Sequence, residues 1–148
     1  MRRRALLAGL SASPLLASGG PARAASPIQQ PARPSEAAFV ARAFAMRDQA
    51  LAAGDQGFGA IVVLDDVIVG IGPSRVVSDG DPTAHAEMVA IRDAASRLGR
   101  RDLSGAILYS SFRPCAMCES AAYWANVARM IHGRPATNAG APTLGGCG

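Results

Sequence analysis

The sequence predicts an α/β domain built as three layers, α/β/α, around a mixed sheet. Apolar residues fall in the order helix, strand, strand, helix, strand, helix, strand. Two of those helices each follow a strand, which places their first turns at the carboxyl end of the sheet. A chain of 148 residues, 49% hydrophobic and 18% charged, is the size and composition of one globular domain.

Residues 1–24 stand apart from that domain. Arg2, Arg3 and Arg4 precede an apolar stretch from Ala5 to Ala17, broken by Gly9, Ser11, Ser13 and Pro14. Ala22-Arg23-Ala24 offers a small-residue cleavage site, so the segment is expected to be an export signal. The arginines beside a mildly apolar stretch resemble a twin-arginine leader, which implies a periplasmic protein. The alternative is a basic tail on a cytoplasmic one. The apolar stretch is too short to span a bilayer, and no membrane span is expected. Residues 25–34, with three prolines, read as a linker, and the domain as 35–148.

Within the domain, Ser35 is an N-cap for a helix in which Phe39, Ala43, Met46 and Ala50 share a face and which Gly54 ends. Phe58–Leu64 and Val67–Ile71 flank Asp65-Asp66 and read as a hairpin. Gly72–Pro82 is a loop, followed by a helix over about Ala84–Leu98 that stops at Gly99. Ala106–Ser110 is a short buried strand, Cys115–Val127 a helix and Arg129–His132 a last strand. Gly133–Gly148 carries no clear element.

Charge narrows the partners. The formal charge is +4, but four of the fifteen arginines lie in the first 24 residues. From Ala25 onward positive and negative side chains balance. A neutral domain is ill suited to a phosphate backbone, so nucleic acid is not an expected partner. No lysine is present, which excludes Schiff-base and P-loop chemistry.

The chemistry sits at the two helix starts. One opens with His85-Ala86-Glu87, the other with Pro114-Cys115-Ala116-Met117-Cys118. One imidazole and two thiolates make three zinc ligands with a fourth position open, as at catalytic rather than structural sites. One zinc per chain is therefore expected at His85, Cys115 and Cys118. A catalytic zinc acidifies water to near neutrality, and Glu87 is placed to carry the proton. Alone, C-x-x-C is as often a redox pair, and an exported thiol oxidoreductase is the competing reading. The 29 residues between His85 and Cys115, with a strand inside them, favour the metal.

The H-x-E…P-C-x-x-C arrangement resembles the cytidine/deoxycytidylate deaminase superfamily. The likeness extends over Phe58-Gly59-Ala60, Asp81-Pro82-Thr83-Ala84-His85-Ala86-Glu87, Asp102-Leu103-Ser104-Gly105 and Tyr123-Trp124-Ala125. In motif it is nearest to bacterial guanine deaminases and then to tRNA adenosine deaminases. The resemblance implies a cytidine deaminase-like fold and a zinc-dependent hydrolase that replaces a ring amine by a carbonyl. The substrate would be a nucleobase or nucleoside, guanine first, and Glu87 the proton shuttle. It also implies substrate contacts from Phe58, Ser74, Ala86 and Trp124, and a homo-oligomer. Trp124 would wall a purine pocket or pack under its helix. In three places the chain departs from the family. Ser74 stands for a ring-binding Asn, Arg113 for a Glu, and the C-terminal part is expected to be shortened, leaving a sheet edge exposed. A degenerate, inactive zinc-binding domain remains the alternative that this shortening favours.

Overall fold

The computed structural model describes residues 26–144; the expected leader over 1–24 and Cys147 lie outside the described residues. The elements are α1 (Glu36–Ala52), β1 (Gly59–Leu64), β2 (Val67–Pro73), α2 (Ala86–Leu98), β3 (Ile107–Ser110), α3 (Ala116–Trp124), β4 (Arg129–His132) and β5 (Thr137–Gly140). The sheet order is β2-β1-β3-β4-β5. β1 runs antiparallel to β2 and β3, β3 is parallel to β4, and β5 returns antiparallel. The sheet is mixed, as expected.

Alternation along the strands divides the core. Ile61, Val63, Ile68, Tyr109 and Ile131 meet Phe39, Val40, Ala43 and Met46 of α1 on one face. Ala60, Val62, Leu108 and Met130 meet Ala86, Ala90, Ala94 and Ala122 of α2 and α3 on the other. Both faces of the strands are covered, which makes three layers. Each large apolar side chain buried in this way contributes ~1.5–3 kcal/mol.

Local signals set the boundaries. The Ser35 hydroxyl accepts from the Ala38 N–H at 3.2 Å and caps α1. At the other end Asp55 N–H donates to Ala50 and Gly54 N–H to Leu51, a Schellman closure with Gly54 at φ 76°. The β1–β2 turn uses Asp65 at φ 49° and Asp66 at φ 61°, the two left-handed residues of a tight hairpin. α2 lies directly against β2 because Gly70 and Gly72 carry no side chain. A Cβ on Gly72 would overlap the Ala86 carbonyl and stand 2.6 Å from the Ala90 nitrogen. This close approach fixes the first turn of α2 against the sheet.

Three expectations need correction. α3 ends at Trp124 rather than Val127, because Asn126 turns left-handed at φ 58°. The Asn126 N–H then donates to Tyr123 and the Val127 N–H to Ala122, the same closure as in α1. A fifth strand, β5, occupies the edge beyond β4, after a turn held by Ala136 N–H to Gly133. It is short and mostly exposed, so neither apolar alternation nor β-branched content announces it. The linker, in turn, is partly docked. The Gln30 amide donates to the Ile68 carbonyl and accepts from the Ile68 N–H, both at 2.8 Å, and so closes the free edge of β2. Ile28 packs against the α1 face of the core. Among the described residues no helix is long and apolar enough to cross a membrane.

Candidate active site

Because β2 and β3 point the same way, α2 and α3 begin at the same end of the sheet, where β1 also starts at Gly59. His85 and Cys115 are the N-cap residues of α2 and α3, both in extended backbone conformation. Pro114 therefore lies just ahead of its N-cap rather than in the first helical position. Glu87 and Cys118 follow in the first turns, with the positive ends of both helix dipoles beneath them.

The three expected ligands converge. His85 Nδ1 lies 3.6 Å from each cysteine Sγ, and the two sulfurs are 3.6 Å apart. An ideal zinc tetrahedron with Zn–S ~2.3 Å and Zn–N ~2.05 Å has edges of about 3.8 and 3.5 Å. The observed triangle fits one face of it, so the residues present suit zinc. Both thiols are free. Burial, the Glu87 carboxylate and Cys115 all hold the Cys118 thiol far above its ordinary range. Two thiols beside a carboxylate ionise together only against a cation, and this donor set calls for a divalent one.

Glu87 is 7% exposed, and its Oε2 accepts from Cys118 Sγ at 3.5 Å. Burial pushes its carboxyl up, only partly offset by its own backbone N–H, Cys118 and His85. It adjoins the ligand triangle without belonging to it. A cavity of about 190 Å³ opens beside the triangle, lined by Phe58, His85, Glu87, Phe112, Arg113 and Cys115. The rings of Phe58 and Phe112 meet edge to face at 6.2 Å and give it an apolar rim. A larger groove of about 570 Å³ runs along β2 and α2, but its Arg75–Asp79 and Arg97–Asp93 pairs neutralise each other and no ligand cluster faces it.

Of the four expected substrate contacts, only Phe58 lines the cavity. Ala86 is fully buried, backbone included, with its methyl in the α2 face of the core, so it offers no surface to a ligand in the cavity. Ser74 is 2% exposed and donates to Asp55 Oδ1 at 2.9 Å, lining a separate depression with Gln49 and Ala53. Trp124 neither walls the cavity nor packs under α3: it is 72% exposed, edge-on to Tyr123. The nine-residue α3 buries Cys118 and Ala122, and Trp124 falls two positions off that stripe.

The sequence reading overlooked Phe112 as a cavity residue and Asp55 as an anchor. Asp55 Oδ1 accepts from Gln56 N–H and the Ser74 hydroxyl, and Oδ2 from the Val77 and Ser78 N–H groups, all at 2.8–3.0 Å. It ties the loop between β2 and α2 to the end of α1. Burial raises this carboxyl, but the bonds from Ser78, Gln56 and Ser74 outweigh burial and lower it from 3.8 to about 2. The unfolded chain therefore binds the proton first as pH falls. The stability this group supplies is complete above about pH 4 and is lost toward pH 2. Urea melts should show the gap between wild type and Asp55→Asn narrowing through that window; a constant gap contradicts the assignment.

Residues 34–134 match the family described as the cytidine and deoxycytidylate deaminase zinc-binding region. The chain belongs to this family. A guanine deaminase of Bacillus subtilis (strain 168) is 41% identical over 102 residues, 68% of this chain and 65% of that protein. A tRNA-specific adenosine deaminase of Agrobacterium fabrum is 38% identical over 87 residues, 59% of this chain and 57% of that one. The chain thus spans less than two thirds of the length of these relatives. The X-ray structure of the Bacillus subtilis guanine deaminase superposes with a TM-score of 0.62, covering 64% of this chain and 60% of that one. The guanine deaminase from Nitrosomonas europaea, 27% identical, gives 0.63 over 70% of this chain and 60% of that one.

Proposed function

We propose that the chain is a zinc-dependent hydrolytic deaminase of a nucleobase-like ring, with guanine as the leading substrate. The observation that carries this reading is the placement of Glu87, in contact with Cys118 of the ligand triangle and facing the small cavity. Zinc, held by His85, Cys115 and Cys118, supplies a Lewis acid that brings water's acidity near neutrality. Glu87 Oε2 takes the first proton of the attacking water and gives it to a ring nitrogen; it then takes the second, from the hydroxyl now on the ring carbon, and gives it to the amine, which leaves as ammonia. Phe58 and Phe112 flank the ring and exclude bulk water. The redox reading accounts for Cys115 and Cys118 but leaves His85 and Glu87 without a task.

Guanine leads because the Bacillus relative, a guanine deaminase, shares 41% identity with this chain. Balanced charge in the domain weighs against a large RNA substrate. Ammonia release from guanine, adenine, cytosine and their nucleosides tests the reading on purified, zinc-loaded protein. Guanine should give the largest kcat/KM; strong turnover of cytidine with none of guanine would overturn the preference.

A further inference from the structure

Arg113 is the one cation lining the cavity beside Glu87. Arg113 has no ion pair or hydrogen-bond partner among the described residues, and of the arginines without an ion pair it alone lines this cavity. The acidic group nearest in influence, Glu119, is already committed to the backbone and hydroxyl of Thr143 at 3.1 and 2.8 Å. The other group that feels its charge, His132, carries no negative charge to offer. Arg113 is exposed and lines the cavity together with the rings of Phe58 and Phe112 and the buried Glu87.

From this arrangement we infer that Arg113 selects an acidic ring: an amino-bearing heterocycle carrying a carboxylate on the ring itself. This rests on the deaminase reading but sets a further preference within it: an amino-bearing ring with a carboxylate should bind better than guanine, which has none. A guanidinium presents a planar fork of N–H donors that matches a carboxylate with two parallel bonds. The aromatic rim lowers the local dielectric and strengthens the attraction relative to open water. Cavity size decides where the anion sits. At about 190 Å³ it falls below the ~300 Å³ from which ligand pockets for drug-sized molecules usually begin. The space suits a base-sized ring system without its ribose, so an anion within reach of Arg113 is attached to that ring system rather than carried beyond a ribose. Glu87 remains free for the amine on the far side of the ring.

The test is calorimetric binding to zinc-loaded protein of two matched pairs, pterin with pterin-6-carboxylate and cytosine with cytosine-5-carboxylate. Cytidine with cytidine 5′-monophosphate forms a third pair, and ammonia release is followed in parallel. In at least one ring pair the carboxylate should bind about tenfold tighter to the wild type. That ratio should shrink in Arg113→Lys, which keeps the charge but loses the fork, fall to near one in Arg113→Gln and drop below one in Arg113→Glu. Zinc content reports the fold in every variant. An unchanged ratio in Arg113→Gln overturns the inference, as does a preference for the phosphate that exceeds that for the ring carboxylates. Charge-dependent binding without ammonia release would fault the deaminase reading and leave the role of Arg113 standing.

Discussion

Cys118→Ala is expected to leave the protein without zinc. The side chain is fully buried where α2 meets α3, and its sulfur lies 3.6 Å from both His85 Nδ1 and Cys115 Sγ. Glu87 touches Cys118 but stands outside the ligand group, so among the described residues the remaining two donors hold the metal far more weakly. Losing a ligand costs more than losing a group that orients one, which already weakens metal binding by ~10- to 100-fold. The variant also leaves a small void and unlinks two helix starts, so thermal stability should fall together with metal content. Cys118→Ser separates these effects: it nearly keeps the volume but supplies a poor zinc ligand. Both variants should drop from one zinc per chain to a trace by elemental analysis. Full zinc in folded Cys118→Ser would mean that the triangle is not the metal site.

Glu87→Gln should do the opposite, keeping the metal and losing the chemistry. Gln has the same shape, so its contact with Cys118 and the packing of the first turn of α2 survive. It cannot accept and return a proton. General acid–base groups are worth ~100- to 10,000-fold in rate, and this one serves more than one transfer, so kcat should fall toward the upper end. Folding stability should not fall, because burial works against the Glu87 carboxylate and the amide escapes that cost. Normal zinc, normal melting and kcat reduced at least a hundredfold form the expected pattern. Turnover within a few-fold of wild type would remove Glu87 from the mechanism.

The parts legible in the sequence were those with local causes. Ser35, Gly54, Asp65-Asp66 and Gly99 announced helix ends and a hairpin turn because each fixes its own backbone or its neighbour's. His85, Glu87, Cys115 and Cys118 were legible because few residue types perform this chemistry at this spacing. What escaped depends on contacts distant in sequence. β5 exists by pairing with β4, not through its own Thr-Asn-Ala-Gly composition. Asp55 carries no local signal, because the β2–α2 loop folds back onto it over 19 to 23 residues of chain. Trp124 drew attention as a large aromatic, but the helical angle from Ala122 decides where it points. Ser74 followed its alignment with a ring-binding Asn, whereas its short side chain reaches Asp55 instead.

The proposed reaction is attack by water on an amine-bearing ring carbon, supported by zinc that His85, Cys115 and Cys118 would hold. The most direct measurement is oxygen-18 incorporation from labelled water into the deaminated product, with ammonia counted in the same reaction. One labelled oxygen is expected per ammonia released. Incorporation should stop after chelation of the metal and return when zinc is restored. Product oxygen that is unlabelled, or ammonia release undiminished in metal-free protein, would contradict it.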